Sequence, residues 1–320
     1  MPPVSGGYCE PYLHLFDEDK PVPASKVTLH TKRRLAQVQR AISAGRGQGR
    51  GERYQPWIRI SRRFSSPVSN MVCASLTVHL RSHHLLSKLE HHTALQLAYM
   101  GGTELRECLP MWPTPHPHPW RDEPDDVPGL LEIADAAGID HGVFLGTTVP
   151  YVGSLDMLLE VPWRGRVMYV GVSCKPDEVH EASARAQERV ELDRRYCESI
   201  GAWHVREGGA GFNQTLIKNL EAYKPLRSEL VRYRDQACLT DFCGEFDRAS
   251  ASLPVHAAIT AAGSRLGLQG DLAGVLWRVG VWLHRIDIDL SRPTSMLKPI
   301  RRGGGQVLAA LDERYLGGPK

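Results

Sequence analysis

The stretch from Tyr151 to Pro176 constrains the possible folds of this chain more than any other. Residues 155–161 and 167–174 are mostly apolar and suited to β-strands. The segment PWRGR between them supplies a proline and a glycine where a turn needs them. This pattern predicts a β-hairpin.

An acid and a lysine lie on the two strands of the predicted hairpin. A turn centred near Trp163–Arg164 would place Asp156 opposite roughly residue 172. Because side chains alternate between the faces of a strand, Ser173 and Lys175 would then lie within reach of Asp156. A carboxylate and an ammonium on apolar strands cost several kcal/mol unless they are paired or bind a metal ion. A structural ion pair and a metal-dependent site are both compatible with this pattern.

The composition predicts a globular protein of about two domains. The chain has 320 residues, of which 42% are hydrophobic and 23% charged. No apolar run approaches the ~20 residues that span a bilayer, and the N-terminus lacks the features of a signal peptide. Seven scattered cysteines without a CxxC pair argue against a zinc ribbon or a disulfide scaffold. We therefore expect a cytoplasmic protein without a membrane partner.

Local basic segments are more informative than the net charge, which is only +3. The basic patches are KRR at 32–34, RRF at 62–64 and RR at 301–302. The segment GRGQGRGERY and the RRF patch predict phosphate contacts by Arg46, Arg50, Arg53, Arg62 and Arg63. A flexible basic linker is the alternative interpretation of the glycine-rich segment.

A second acid is predicted on the inward face of an earlier helix. Residues 83–100 have a helical pattern that Gly101 and Gly102 would end. Glu90 falls within the apolar stripe of this helix, where a carboxylate needs a partner such as a metal ion or Lys175. Alternatively, Glu90 lies at the edge of the stripe and reaches solvent.

The remaining pattern indicates an α/β fold followed by a helical region. Helices are predicted over 26–42, 128–138, 177–201 and 213–250, and two short helices within 254–280, separated by residues 267–271. Strands are predicted over 57–64, 71–80, 103–109 and 202–209. The long helix after the hairpin has Val179, Ala182, Ala186, Val190, Cys197 and Ile200 as its packing stripe. Residues 281–290 alternate like a hairpin. Helices followed by a short hairpin suggest a small winged-helix-like domain.

Several segments together resemble the TnsA family, the endonuclease subunits of heteromeric transposases related to Tn-seven elements. In chain order, the resemblance is carried by GRGQGRGERYQPWIRI, HHLLSKLE, RECLPM, LLEIADAAGIDH, SLDMLL, VSCKP and RAQERVELDRRYCESIGAWHV. It covers about residues 40–230 and matches the first catalytic acid of the family to Glu90 and the second to Asp156. The strand that carries the family's catalytic lysine matches Ser173 and Lys175.

The resemblance implies a restriction-endonuclease-like core with a mixed sheet and a PD-(D/E)xK-type site. Residues 26–211 would form the endonuclease domain and 212–300 the winged-helix-like partner-binding domain, between a poorly ordered leader (1–25) and a tail (301–320). The implied activity is Mg²⁺-dependent cutting of the non-transferred strand at the 5′ ends of a transposon. The implied partners are DNA, a DDE-type transposase and an AAA+ ATPase regulator, with the bacterial nucleoid as the place of action.

The implied metal site contains Glu90, Asp156, the Ser173 hydroxyl and the Cys174 carbonyl, since Mg²⁺ prefers oxygen ligands; Mn²⁺ would be a substitute. Lys175 would orient the attacking water or stabilise charge at the phosphate. Ser173 departs from the family, which has an amide or carboxylate there, and is a weaker ligand.

Two other functions are compatible with the same residues. A non-catalytic adaptor that bridges transposase and ATPase is the alternative if Ser173 abolishes cutting. A stand-alone restriction or repair nuclease is the third possibility.

Overall fold

The computed structural model describes residues 29–60, 72–120 and 126–317. The helices are α1 (Leu29–Ser43), α2 (Lys88–Tyr99), α3 (Leu130–Ala137), α4 (Asp177–Ala182), α5 (Ala184–Ser199), α6 (Gln214–Tyr223), α7 (Arg227–Tyr233), α8 (Ala237–Ser250), α9 (Val255–Arg265), α10 (Leu272–Trp282) and α11 (Gly304–Leu316). The strands are β1 (Val72–Ser75), β2 (Ser82–Leu85), β3 (Glu104–Met111), β4 (His116–Pro117), β5 (Asp126–Val127), β6 (Gly153–Trp163), β7 (Arg166–Cys174) and β8 (Trp203–Glu207). Among the helices of these ranges, none is long and apolar enough to cross a membrane.

A four-stranded mixed sheet in the order β3-β6-β7-β8 forms the centre of the fold. The first two pairings are antiparallel, and β7 and β8 are parallel. Side chains of α2 pack on one face of this sheet, and those of α3 and α5 pack on the other. The fold is therefore α/β with a mixed sheet, as predicted.

The predicted hairpin is confirmed as β6 and β7, with a register one residue away from the expected one. The turn consists of Arg164 and Gly165, whose φ angles are 48° and 74°. Both residues adopt positive φ, as in the tight turns that suit the twist of a two-stranded ribbon. Met157 consequently pairs with Val172, so that Asp156 projects toward residue 173 rather than 172.

The helix predicted over residues 83–100 begins later than expected. Residues Ser82–Leu85 form β2, which pairs with β1. The helix α2 starts at Lys88, because the side chain of Ser87 accepts a hydrogen bond from the amide of Glu90 and caps it. Four residues are too few for periodicity to distinguish a short strand from the first turn of a helix.

Two other predictions in this part of the chain were wrong. The helix after the hairpin is divided at Ser183 into α4 and α5, and Val179 of the predicted packing stripe is 48% exposed. Residues of α5 that are buried include Leu192 and Tyr196, which lie beside the expected stripe. Of the strand expected over 57–64, residues 57–60 are irregular and the rest lies outside the described residues.

The C-terminal part consists of helices α6 to α11. The hairpin predicted over 281–290 was wrong, because α10 extends to Trp282. Ile286, Ile288 and Leu290 are nevertheless buried, so their alternation reflects packing against helices rather than a strand pair. The apolar side chains of this region join those of α2 and the sheet in one continuous core. The proposed domain division and the winged-helix-like assignment stay predictions.

Candidate active site

Asp156 lies where the strands of the central sheet separate. The β3–β6 pairing includes Glu107–Met157 and Leu109–Leu155, but the intervening Cys108, with a φ of 47°, breaks the ladder opposite Asp156. Oδ2 of Asp156 accepts a 2.6 Å hydrogen bond from the backbone amide of Cys174. The carboxylate is half-buried at the open end of the hairpin.

Glu90 is held at the beginning of α2 by a capping arrangement. Its carboxylate accepts hydrogen bonds from the Leu86 amide at 2.7 Å and from the Ser87 hydroxyl at 3.1 Å. The Ser87 hydroxyl also accepts a hydrogen bond from the Glu90 amide, so the start of the helix supplies two donors to this buried acid. Only 4% of Glu90 is exposed, so the alternative in which it reaches solvent was wrong.

Electrostatic interactions connect Glu90 and Asp156 with a third acid, Asp193, and with Lys175. Burial, and then the charge of Asp156, raises the pKa of Glu90 to about 8. Burial, and then the charge of Asp193, raises the pKa of Asp156 to about 7. The charge of Lys175 lowers the pKa of all three acids. The four side chains are therefore close enough to influence one another, and Lys175 does not neutralise the cluster.

Sequence reasoning missed Asp193 on α5 and His204 on β8. The Ser173 hydroxyl donates a 2.7 Å hydrogen bond to Oδ2 of Asp193 and lies 2.9 Å from Nε2 of His204. Burial lowers the pKa of His204 to about 4, so the imidazole is neutral and can donate to Ser173. Arg189 lies 3.3 Å from the other oxygen of Asp193. The signal that could have found Asp193 is its position beside Leu192 and three residues before Tyr196, both buried.

The structure describes three of the five arginines predicted to bind DNA. Arg46 is half-buried and donates a 3.4 Å hydrogen bond to the Trp57 carbonyl. Arg50 and Arg53 are exposed at a short turn of 3₁₀ helix. Arg62 and Arg63 lie outside the described residues.

The chemistry of the acid cluster fits a divalent cation. Within the described ranges, no group of three or more His, Cys, Asp and Glu side chains already has metal-binding geometry. Glu90 and Asp156 both have raised pKa values, chiefly because they are buried and secondly because other acids lie nearby. Mg²⁺ commonly uses only one or two protein carboxylates and keeps several waters. Glu90 and Asp156 are the two carboxylates that would hold such an ion here.

A mixed sheet between helices, with acids and a lysine where its strands separate, is consistent with a TnsA-like endonuclease. No protein-family model matches the chain. Among curated proteins, it is similar to the transposon Tn7 transposition protein TnsA of Escherichia coli, with 32% identity over 161 residues. The match covers 50% of this chain and 52% of that protein, so the chain spans about half the length of the relative it matches.

Proposed function

We propose that this chain is the metal-dependent DNA endonuclease subunit of a heteromeric transposase, and that it cuts the non-transferred strand at the 5′ ends of the element. The observation that carries the proposal is the cluster of Glu90, Asp156 and Lys175 at the separated strand ends, where both acids have raised pKa values. The similarity to a transposition protein supports the context of the reaction. Its partners would be DNA, a DDE-type transposase and an AAA+ ATPase regulator.

In this proposal Glu90 and Asp156 hold Mg²⁺, or Mn²⁺ in its place, with the Cys174 carbonyl as a further ligand. The cation would polarise the scissile phosphate and lower the pKa of a bound water. The hydrogen bond from the Cys174 amide fixes one oxygen of Asp156. Lys175 supplies positive charge beside the acids and would stabilise the charge that develops on the phosphate.

For Ser173 we propose a role other than the direct ligation that the sequence suggested. Its hydroxyl is engaged by both Asp193 and His204, and only 2% of the residue is exposed. We therefore assign Ser173 to holding Asp193 in position beside Asp156. Outer groups that orient ligands in this way commonly affect metal affinity or activity by roughly 10–100-fold.

The test is a strand-cleavage assay on transposon-end DNA with Mg²⁺, with and without the partner transposase. We expect Asp156→Asn to abolish cutting of the 5′ strand, while Asp241→Asn, which changes an exposed acid on α8, cuts like the unmodified protein. Cutting by Asp156→Asn at the unmodified rate would contradict the site. Cutting by the purified chain alone on unrelated DNA would instead favour a stand-alone nuclease.

An adaptor without catalytic activity is the second candidate, because the Ser173 hydroxyl is engaged by Asp193 and His204 and is not available as a metal ligand in this arrangement. The products of transposition distinguish the two functions. Excised elements with double-strand breaks support the endonuclease, and joined co-integrates support the adaptor.

A further inference from the structure

A basic groove lies between α1 and the segment 57–60. It encloses about 590 Å³, which is within the usual range of ligand sites. Arg34, Arg46 and Arg59 line it together with neutral side chains, and no aspartate or glutamate lines it among the residues that the structure describes. An unopposed group of three guanidinium ions has the charge that an anionic ligand requires.

Two of the groove arginines are held in place by aromatic and backbone groups rather than by carboxylates. The guanidinium of Arg34 lies 4.8 Å from the centre of the Phe144 ring, and its buried Nε has no hydrogen-bond partner among the described residues. Arg46 is tied only to a backbone carbonyl, that of Trp57. Within the described ranges, Arg34, Arg46 and Arg59 form no ion pair with a carboxylate. A buried donor without a partner is uncommon in proteins, and a ligand oxygen would satisfy it.

The groove adjoins the acid cluster through β3. The amide of Trp57, a lining residue, donates a 3.1 Å hydrogen bond to the carbonyl of Cys108. The thiol of Cys108 in turn lies within the electrostatic influence of Glu90 and Asp156, whose charges raise its pKa further after burial. A chain of phosphates that passes the acids could therefore continue into the groove.

We propose that this groove binds the phosphodiester backbone of DNA next to the phosphate that is cut, through Arg34, Arg46 and Arg59. The inference deepens the proposed endonuclease function and rests on it. Contacts to phosphates carry no sequence information, so the groove would fix the position of the strand rather than select its sequence. The position of the Arg34 guanidinium beside the Phe144 ring would limit its motion and reduce the entropy lost on binding.

The experiment measures binding of a fluorescent duplex by anisotropy at several salt concentrations, in the absence of metal. We expect Arg34→Gln/Arg59→Gln to weaken binding roughly 10-fold and to reduce the salt slope by about two, one for each lost phosphate contact. The single variant Arg59→Gln, which changes an exposed side chain, should reduce the slope by about one. Arg40→Gln, on the same helix but outside the groove, is the matched control.

The same affinity and salt slope for the double variant and the unmodified protein would overturn the inference. An equal loss in Arg40→Gln would also overturn it, because the effect would then belong to the charge of α1 as a whole. Cleavage assays distinguish a failure of the groove assignment from a failure of the proposed endonuclease function. If the unmodified protein cuts DNA and the groove variants bind normally, only the groove assignment fails. If no condition produces cutting by the unmodified protein, the endonuclease assignment fails.

Discussion

The hydroxyl of Ser173 on β7 lies 2.7 Å from Oδ2 of Asp193 on α5, across the interface between sheet and helix. Both residues are almost completely buried, and Asp193 raises the pKa of the adjacent Asp156. This hydrogen bond engages the serine at a position where the family that the chain resembles has a larger side chain. It also connects α5 to the acid cluster.

The substitution Ser173→Ala tests whether the hydrogen bond from Ser173 positions Asp193. We expect it to leave Oδ2 of Asp193 without its donor, which lowers the free energy of unfolding by about 1–3 kcal/mol. Cleavage should fall roughly 10–100-fold, because Asp193 is no longer positioned. Denaturant unfolding and single-turnover cleavage provide the two measurements. Ser173→Thr retains the hydroxyl and should cut faster than Ser173→Ala; an equal loss in both variants would contradict the hydrogen-bonding role.

The raised pKa values predict how stability depends on pH in the absence of metal. The pKa of Glu90 is raised from 4.5 to about 8, so the folded protein retains a proton that the unfolded chain has released. Stability should therefore fall as pH rises from about 4.5 to 8, because the folded state binds more protons in this window. Adding Mg²⁺ should raise the Tm more at pH 8 than at pH 6.

Thermal unfolding at several pH values, with EDTA or Mg²⁺, checks this prediction. Glu90→Gln retains a side-chain oxygen that can accept a hydrogen bond from Leu86 or Ser87 but removes the titrating group, so its Tm should depend less on pH. A Tm of the metal-free protein that rises between pH 5 and 8 would contradict the assignment of Glu90.

Gly171 and Cys197 form a close contact between β7 and α5. A Cβ atom at Gly171 would lie 2.3 Å from Sγ of Cys197 and 3.0 Å from Cδ2 of Leu155. We expect Gly171→Ala to reduce the free energy of unfolding by about 1–3 kcal/mol through overpacking. Combining it with Cys197→Ala should cost less than the sum of the two single changes, as measured by denaturant unfolding in a double-mutant cycle. Additive losses would show that the two residues are not in contact.

Glu207 at the end of β8 connects the sheet to the C-terminal helix. Arg314 of α11 donates hydrogen bonds of 2.7 and 2.6 Å to its two carboxylate oxygens, and Tyr315 adds a third at 3.1 Å. Arg314→Ala leaves this buried charge without its ionic partner, so we expect a loss of about 3–5 kcal/mol in the free energy of unfolding.

The matched control for Arg314→Ala is Arg265→Ala, which removes an exposed arginine that pairs with Glu245. An exposed ion pair contributes only about 0–1 kcal/mol, so this control should unfold almost like the unmodified protein. Similar losses in both variants would contradict the special role of Glu207.

Local patterns in the sequence identified the elements that form the site. The apolar runs around the turn predicted the hairpin, and the helical pattern around Glu90 placed this acid on an inward face. These predictions succeed because turn residues and hydrophobic periodicity act over a few neighbouring residues. Alternation near Ile286 failed as a strand signal, because packing against helices can bury every second residue as well.

The sequence by itself determined the hairpin, the inward acid of α2 and the presence of a lysine beside Asp156. Only the tertiary structure decided the register of β6 and β7. It also brought Asp193 and His204 into contact with the Ser173 hydroxyl. The physical reason is the separation of the contributing residues along the chain. Hydrogen bonds between β7, α5 and β8 depend on how these elements pack, and periodicity within one segment carries no information about that packing.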